Sequence, residues 1–424
     1  MPCNSRRSGS TRRVDTHLRA ALVTVFVYVC TSGANAQTPA TPPAPALTLS
    51  EATDRAVAAN PTIAAARLQR PIDVAGIDVA GERPNPDVVY EAEKETPRQA
   101  IGGTVPIELG GKRSRRLDVA KATVAVSDAE LARVIAGVRR DVRRAYFDAV
   151  AAQMRAQISD DLRALAQRAR DAANARVVAG DVPRSDLTSS DLALANAENE
   201  LVGARAEATA TRAELNTLLA QPADTPWTLA DPLSSGTLMV SQTANDLAAR
   251  SNVDVQVLDR QIDEQTAKVG LAKALTVPDV SVGGMFTYDA EPEFRYGWRV
   301  TGGVTVPVFT RHKAGVTVEE ATLARLRGER EALVAQIAGG IAAALTRAAA
   351  ARDQLMRYET SILPLAVEAE RQAQAAYSGG QISLPVLVQA LMTARDTRQR
   401  GLQAGLDYQH ALTELERAIG ASTK

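Results

Sequence analysis

The chain has 424 residues with 49 basic and 49 acidic side chains, a balance that gives no electrostatic reason to expect nucleic acid as a partner. Aromatic residues make up only 4% while alanine is abundant, which suits long, closely packed helices better than a globular core built on rings. The two cysteines, Cys3 and Cys30, both fall near the start, so a disulfide framework or thiolate metal site is not expected downstream.

The first segment, 1–36, reads as a secretory signal peptide. Arg6, Arg7, Arg12, Arg13 and Arg19 precede an apolar stretch from Ala20 to Cys30, and Ala34-Asn35-Ala36 supplies a cleavage site after Ala36. About 11 apolar residues fall short of the ~20 that span a bilayer as a helix. Thr11-Arg12-Arg13 hints at a twin-arginine signal, and Cys30 at lipidation, though Val29 stands where a lipoprotein signal wants a small residue. No spanning apolar run is expected after Gln37, which leaves a soluble protein or a β-barrel.

A proline-rich segment, 37–47, leads to the first of two structural repeats, 48–220. Thr48-x-x-Glu51 forms a capping box for an opening helix, with Leu47 as a staple. A β-hairpin follows over 86–109. Val88, Tyr90 and Ala92 alternate there with Glu91, Glu93 and Glu95, then Ile101, Val105, Ile107 and Leu109 with Thr104 and Glu108. Gly110-Gly111-Lys112-Arg113 reads as a strand-to-helix turn with a basic surface, since it lacks the first glycine and the hydroxyl of a phosphate loop.

From Gly111 to Val178 no proline interrupts, and Leu131, Ile135, Val138, Val142, Val150, Met154, Ile158, Leu162 and Leu165 step by threes and fours. Such a helix would run roughly 100 Å. Gly180-Asp181-Val182-Pro183 ends it and opens a second helix, giving an antiparallel hairpin whose tip also carries Asp186.

After a linker, 221–242, the pattern returns over 243–420. Asn60 and Pro86-Asp87-Val88 match Asn252 and Pro278-Asp279-Val280 at a spacing of 192, whereas Val105-Pro106 matches Val306-Pro307 at 201 and Gly180 matches Gly380 at 200. The nine extra residues are expected as a longer loop within the second hairpin, 279–308. There Tyr288, Tyr296 and Trp298 suit a lipid-facing aromatic girdle. Pro364 should interrupt the following long helix, and Gly379-Gly380 turns its tip.

Four strands cannot close a barrel alone, so strands that span a membrane must be pooled by several chains. Histidines His312 and His410 show no partners of ligand spacing, and no catalytic motif, cofactor site or metal site is read.

Leu49-Ser50-Glu51-Ala52 before Asn60-Pro61, Pro106-Ile107-Glu108-Leu109-Gly110-Gly111-Lys112-Arg113, Val306-Pro307-Val308-Phe309, and Ile362-Leu363-Pro364 before Tyr377 and Gly380 together resemble the TolC family of outer-membrane efflux proteins. The Pro-Ile-Glu-Leu-Gly-Gly-Lys-Arg run is similar to the CzcC/CusC-like heavy-metal exporter branch. The resemblance implies a mainly α fold with a small β part. A long α-helical barrel would continue a trimeric 12-stranded β-barrel to which each protomer gives four strands.

It also implies a homotrimer in outer-membrane lipid that extends into the periplasm of a Gram-negative bacterium. Its partners would be a periplasmic adaptor and an inner-membrane pump of the RND type, its role that of a passive exit duct, and its cargo heavy-metal cations. Family members narrow the periplasmic tip with acidic residues at the start of the last helix, but Val386 and Gln389 stand there, which leaves Asp181 and Asp186. Glu91, Glu93 and Glu95 would then line the barrel lumen, and Gly180, Gly379 and Gly380 would form the docking tip. Alternatives are a duct for drugs or secreted proteins, a periplasmic adaptor, or a structural coiled-coil envelope protein.

Overall fold

The computed structural model describes residues 45–236, 238, 241–292, 294–306 and 308–420, so the expected cleavage after Ala36 lies outside the described residues. The described chain is mainly helical. It opens with a two-residue strand β1 (Ala46–Leu47), then α1 (Leu49–Ala59), α2 (Pro61–Arg67) and α3 (Gln69–Gly81). Thr48 caps α1 with the full reciprocal capping box to Glu51. The opening helix expected as one piece is three: Asn60 and Pro61 force an extended residue and a fresh start between α1 and α2, and a turn at Leu68 separates α2 from α3.

Strands β2 (Asp87–Ala92) and β3 (Gln99–Ile107) lead into α4 (Lys112–Ala179), an unbroken helix of 68 residues, and α5 (Arg184–Leu218) returns beside it. The linker holds β4 (Thr228–Leu229), which pairs in parallel with β1. The second repeat begins at α6 (Ser241–Ser251), two residues earlier than its sequence suggests, followed by α7 (Val253–Ala274). Strands β5 (Asp279–Ala290) and β6 (Phe294–Thr305), then α8 (Lys313–Arg357), α9 (Leu363–Ser378) and α10 (Leu384–Ile419) complete it.

The longer loop expected in the second hairpin is not there. β5 and β6 have 12 residues each against 6 in β2 and 9 in β3, so the extra residues lengthen the strands. Continuous alternation through Tyr288 and Tyr296 permits this, because each added residue finds a cross-strand partner.

A π-helical turn, Tyr358–Ile362, joins α8 to α9 immediately before Pro364. Proline lacks an N–H and crowds the carbonyl four residues back, and the wider turn absorbs the mismatch. The combined rod Lys313–Ser378 contains an 18-residue window of mean hydropathy 1.4, long and apolar enough by composition to cross a bilayer, contrary to expectation. Runs such as Ala342-Ala343-Ala344 carry that apolarity without the bulk that marks a stripe.

The repeat is visible in atomic detail. Asn60 and Asn252, both buried, cap α2 and α7, and their side-chain amides donate to the carbonyls of Leu218 and Ala418 at 2.9 Å each. The main core gathers Val138, Val142, Tyr146, Phe147 and Val150 of α4 with Leu47, Ile63, Leu215 and Leu402. Met154 lies off this core and is exposed.

Candidate functional site

Four strands form one antiparallel sheet in the order β2-β3-β5-β6. Because side chains alternate, the register decides which residues share a face. Val88, Tyr90, Ile101, Val105, Val282, Phe286, Tyr296, Trp298, Val300 and Val304 all fall on one side and are all exposed, Trp298 to 81% and Tyr296 to 60%. Tyr288 sits opposite Tyr296 on that same side, and Phe286 stacks on both tyrosines at centroid distances of 6.5 and 5.9 Å. Of the three residues read as a girdle, Tyr288 and Tyr296 therefore form one aromatic cluster with Phe286, and Trp298, opposite Phe286 in the ladder, lies on the same apolar face.

The opposite face carries Asp87, Glu91, Thr104, Ser281, Thr287, Arg299 and Thr301. Of the three carboxylates expected to alternate in a strand, only Glu91 does so. β2 ends at Ala92; the Glu93 N–H closes the hairpin on the Arg98 carbonyl at 2.8 Å, and Glu95 lies in the turn. A short strand cannot extend its alternation past its last ladder bond. Arg299 of β6 shares this polar side with Asp87 and Glu91, whereas the Arg295 guanidinium lies 5.5 Å over the Tyr296 ring.

The strand-to-helix junction is built by the Glu108 to Lys112 run. Gly110 and Gly111 take positive φ of 70° and 71°, and a Cβ at Gly110 would meet Val277 at 2.8 Å. Lys112 is not surface, as expected, but buried, with its ammonium 2.7 Å from Asp279. Asp279 also accepts from the Leu109 N–H at 3.2 Å, and Arg116 forks onto Glu108. A buried lysine needs such a partner, and here it fastens one hairpin to the other.

At the far end of the rods, Gly180 and Gly380 sit in the left-handed region at φ 81° and 72°. Each closes a Schellman motif: the N–H groups of Gly180 and Asp181 donate to Val177 and Arg176, and those of Gly380 and Gln381 to Tyr377 and Ala376. Gly379 is at φ −79° and needs no special freedom. Tyr377, Leu384, Leu387 and Leu391 pack against Ala173 of α4, and Arg176 lies 5.5 Å over the Tyr377 ring. Asp181 is exposed and Asp186 occupies the first turn of α5, where its charge favours the helix dipole. Val386 and Gln389 line an open, apolar groove between α9 and α10 with Ile362, Leu365 and Pro385.

A clasp on α4 went unread in the sequence. The Tyr146 hydroxyl lies 2.8 Å from the Leu47 carbonyl and 2.9 Å from the Asp231 carboxylate, and it accepts from the N–H groups of Ala230 and Asp231 at 3.1 Å. Burial pushes its pKa up to about 12. Nearby, Gln409 donates to the Leu233 and Ser235 carbonyls, and Arg143 pairs with Glu416 at 2.6 Å. The available signal was position: Tyr146 falls one turn from both Val142 and Val150, on the buried stripe. His410, expected to stand alone, meets Asp148 at 2.8 Å. Among the described residues no group of three or more His, Cys, Asp or Glu side chains is placed to hold a metal ion.

The sequence matches the family model described as outer membrane efflux protein over residues 52–221 and 245–421. It is 27% identical over 387 residues to the cobalt-zinc-cadmium resistance protein CzcC of Cupriavidus metallidurans, covering 88% of this chain and 90% of that protein. Its fold is similar to that of the outer-membrane channel OprN, with a TM-score of 0.73 at 18% identity over 88% of this chain and 90% of that one. It is likewise similar to the open state of the MtrE outer membrane channel of Neisseria gonorrhoeae, with a TM-score of 0.71 at 17% identity over 89% of each chain.

Proposed function

The chain belongs to the outer membrane efflux protein family, and we propose on that premise that it is the passive exit duct of a tripartite export system, working as a homotrimer. The observation that carries this reading is the four-stranded sheet with one largely exposed apolar face and two open edges. In hydrocarbon an open edge leaves backbone N–H and C=O groups unpaired, so three such sheets joined edge to edge into twelve strands satisfy what one cannot. The apolar face with its aromatic cluster then meets lipid, and the polar face lines a water-filled lumen.

The long rods continue the duct into the periplasm. Their tips, at Gly180 and Gly380 with Asp181 and Asp186, dock a periplasmic adaptor, which couples the duct to an inner-membrane pump of the RND type. The pump supplies energy and selects cargo. The family is one of outer-membrane efflux channel proteins.

For cargo we favour divalent heavy-metal cations, on the strength of the cobalt-zinc-cadmium resistance relative. Deleting the gene in its host should lower tolerance to cobalt, zinc or cadmium, with restoration by a plasmid copy. Unchanged metal tolerance alongside new sensitivity to drugs would replace this cargo with organic compounds.

A further inference from the structure

The strand-to-helix junction occurs twice in the duplicated chain, and only one copy is closed. In the closed copy Gly111 precedes α4 at φ 71°, and Lys112, the first residue of α4, reaches Asp279, the first residue of β5, with 7% of its side chain exposed. The contact bridges the repeats, because β3 of the first pairs with β5 of the second.

The second repeat presents the same parts. His312 precedes α8 at φ 53°, although it is not glycine, and Lys313 opens that helix. Asp87 opens β2 after Pro86 as Asp279 opens β5 after Pro278. Lys313 and Asp87 are both exposed, and neither forms an ion pair with another described residue. They belong to opposite margins of the sheet: β2 is one outer strand and β6, which leads into Lys313, is the other. Three strand spacings of ~4.8 Å separate those margins, too far for one chain to close the pair.

We propose that Lys313 of one protomer pairs with Asp87 of the next, repeating between chains the Lys112–Asp279 contact made within one. The inference rests on the trimeric reading above and adds to it the residues and the register of closure. Opposite charges at the two free margins fit a second copy of this chain. Helix α3 points the same way: it buries no residue and exposes Ile72, Val74 and Val79, whereas the matching stretch of α7, 261–273, seated between α4 and α8, buries Gln265 and Val269.

The repeat spacings also fix which strand residues meet. Val105 lies opposite Val282 within the chain. Shifting each by its repeat spacing, 201 and 192, places Val306 of one protomer opposite Tyr90 of the next.

The test uses the full chain, expressed with its leader and extracted from the outer membrane. Lys313→Asp and Asp87→Lys should each lose the detergent-resistant trimer, and the double variant should regain it. The described residues contain no native cysteine, so Tyr90→Cys can be combined in turn with Val304→Cys, Val306→Cys and Val308→Cys under mild oxidation. Intermolecular disulfide yield should peak at Val306→Cys. Single charge reversals that leave the trimer intact, a double variant that fails to regain it, or a cross-linking peak away from Val306 would overturn the pairing while the wild-type trimer stands. A wild type extracted as a monomer would instead overturn the trimeric reading on which the pairing rests.

Discussion

Tyr146 shows how one hydroxyl can hold three segments distant in sequence. It joins α4 to Leu47 and to the linker at Ala230 and Asp231, and the Asp231 carboxylate in turn accepts from the Leu49 N–H at 2.6 Å. Tyr146→Phe keeps the ring in the core but takes the hydroxyl acceptor from the part-buried Asp231 N–H and the hydroxyl contact from the Asp231 carboxylate, at a cost of about 1–3 kcal/mol. Its raised pKa, about 12 against an ordinary 10.0, sets a pH dependence. The folded state holds the neutral phenol, so this contribution is complete below pH ~10 and is lost as pH rises toward ~12. Thermal unfolding should show a lower Tm for Tyr146→Phe at neutral pH and a shrinking difference from wild type above pH 10. A constant difference across that range would remove ionisation from the account. Nothing in the spacing of Tyr146 announced its partners, because β1 and β4 are two residues long and carry no periodicity.

The elements were legible where a period ran long enough to declare itself. Sixty-eight uninterrupted residues with a stripe, two Gly-Asp or Gly-Gln turns and a proline in the first turn of α9 could be placed from sequence, since each rests on local chemistry. Misreadings came where tertiary pairing decides: Glu95 lies past the last ladder bond of β2, Lys112 is buried only because Asp279 faces it, and His410 finds Asp148 from 262 residues away. The tip motifs offer a test at this scale. Gly180 and Gly380 have open space where a Cβ would stand but positive φ, so Gly180→Val and Gly380→Val impose backbone strain of about 1–3 kcal/mol without a clash. Adaptor cross-linking should fall in the double variant while the protein still assembles. Undiminished cross-linking would move the docking site away from these turns.

At the scale of the molecule, the duplication explains both what the single chain completes and what it leaves open. One repeat closes on the next through β3 and β5 and through Lys112 and Asp279, but β2 and β6 end the sheet with exposed residues on both faces. On the trimeric reading proposed above, a sheet of this kind, apolar on one side and polar on the other, is finished by further copies of itself. The measurement that bears most directly on this claim is the polypeptide mass of the particle extracted from the outer membrane in mild detergent, determined by light scattering with the detergent contribution subtracted. Three chains per particle is the predicted result; a single chain per particle, stable on dilution, would contradict it.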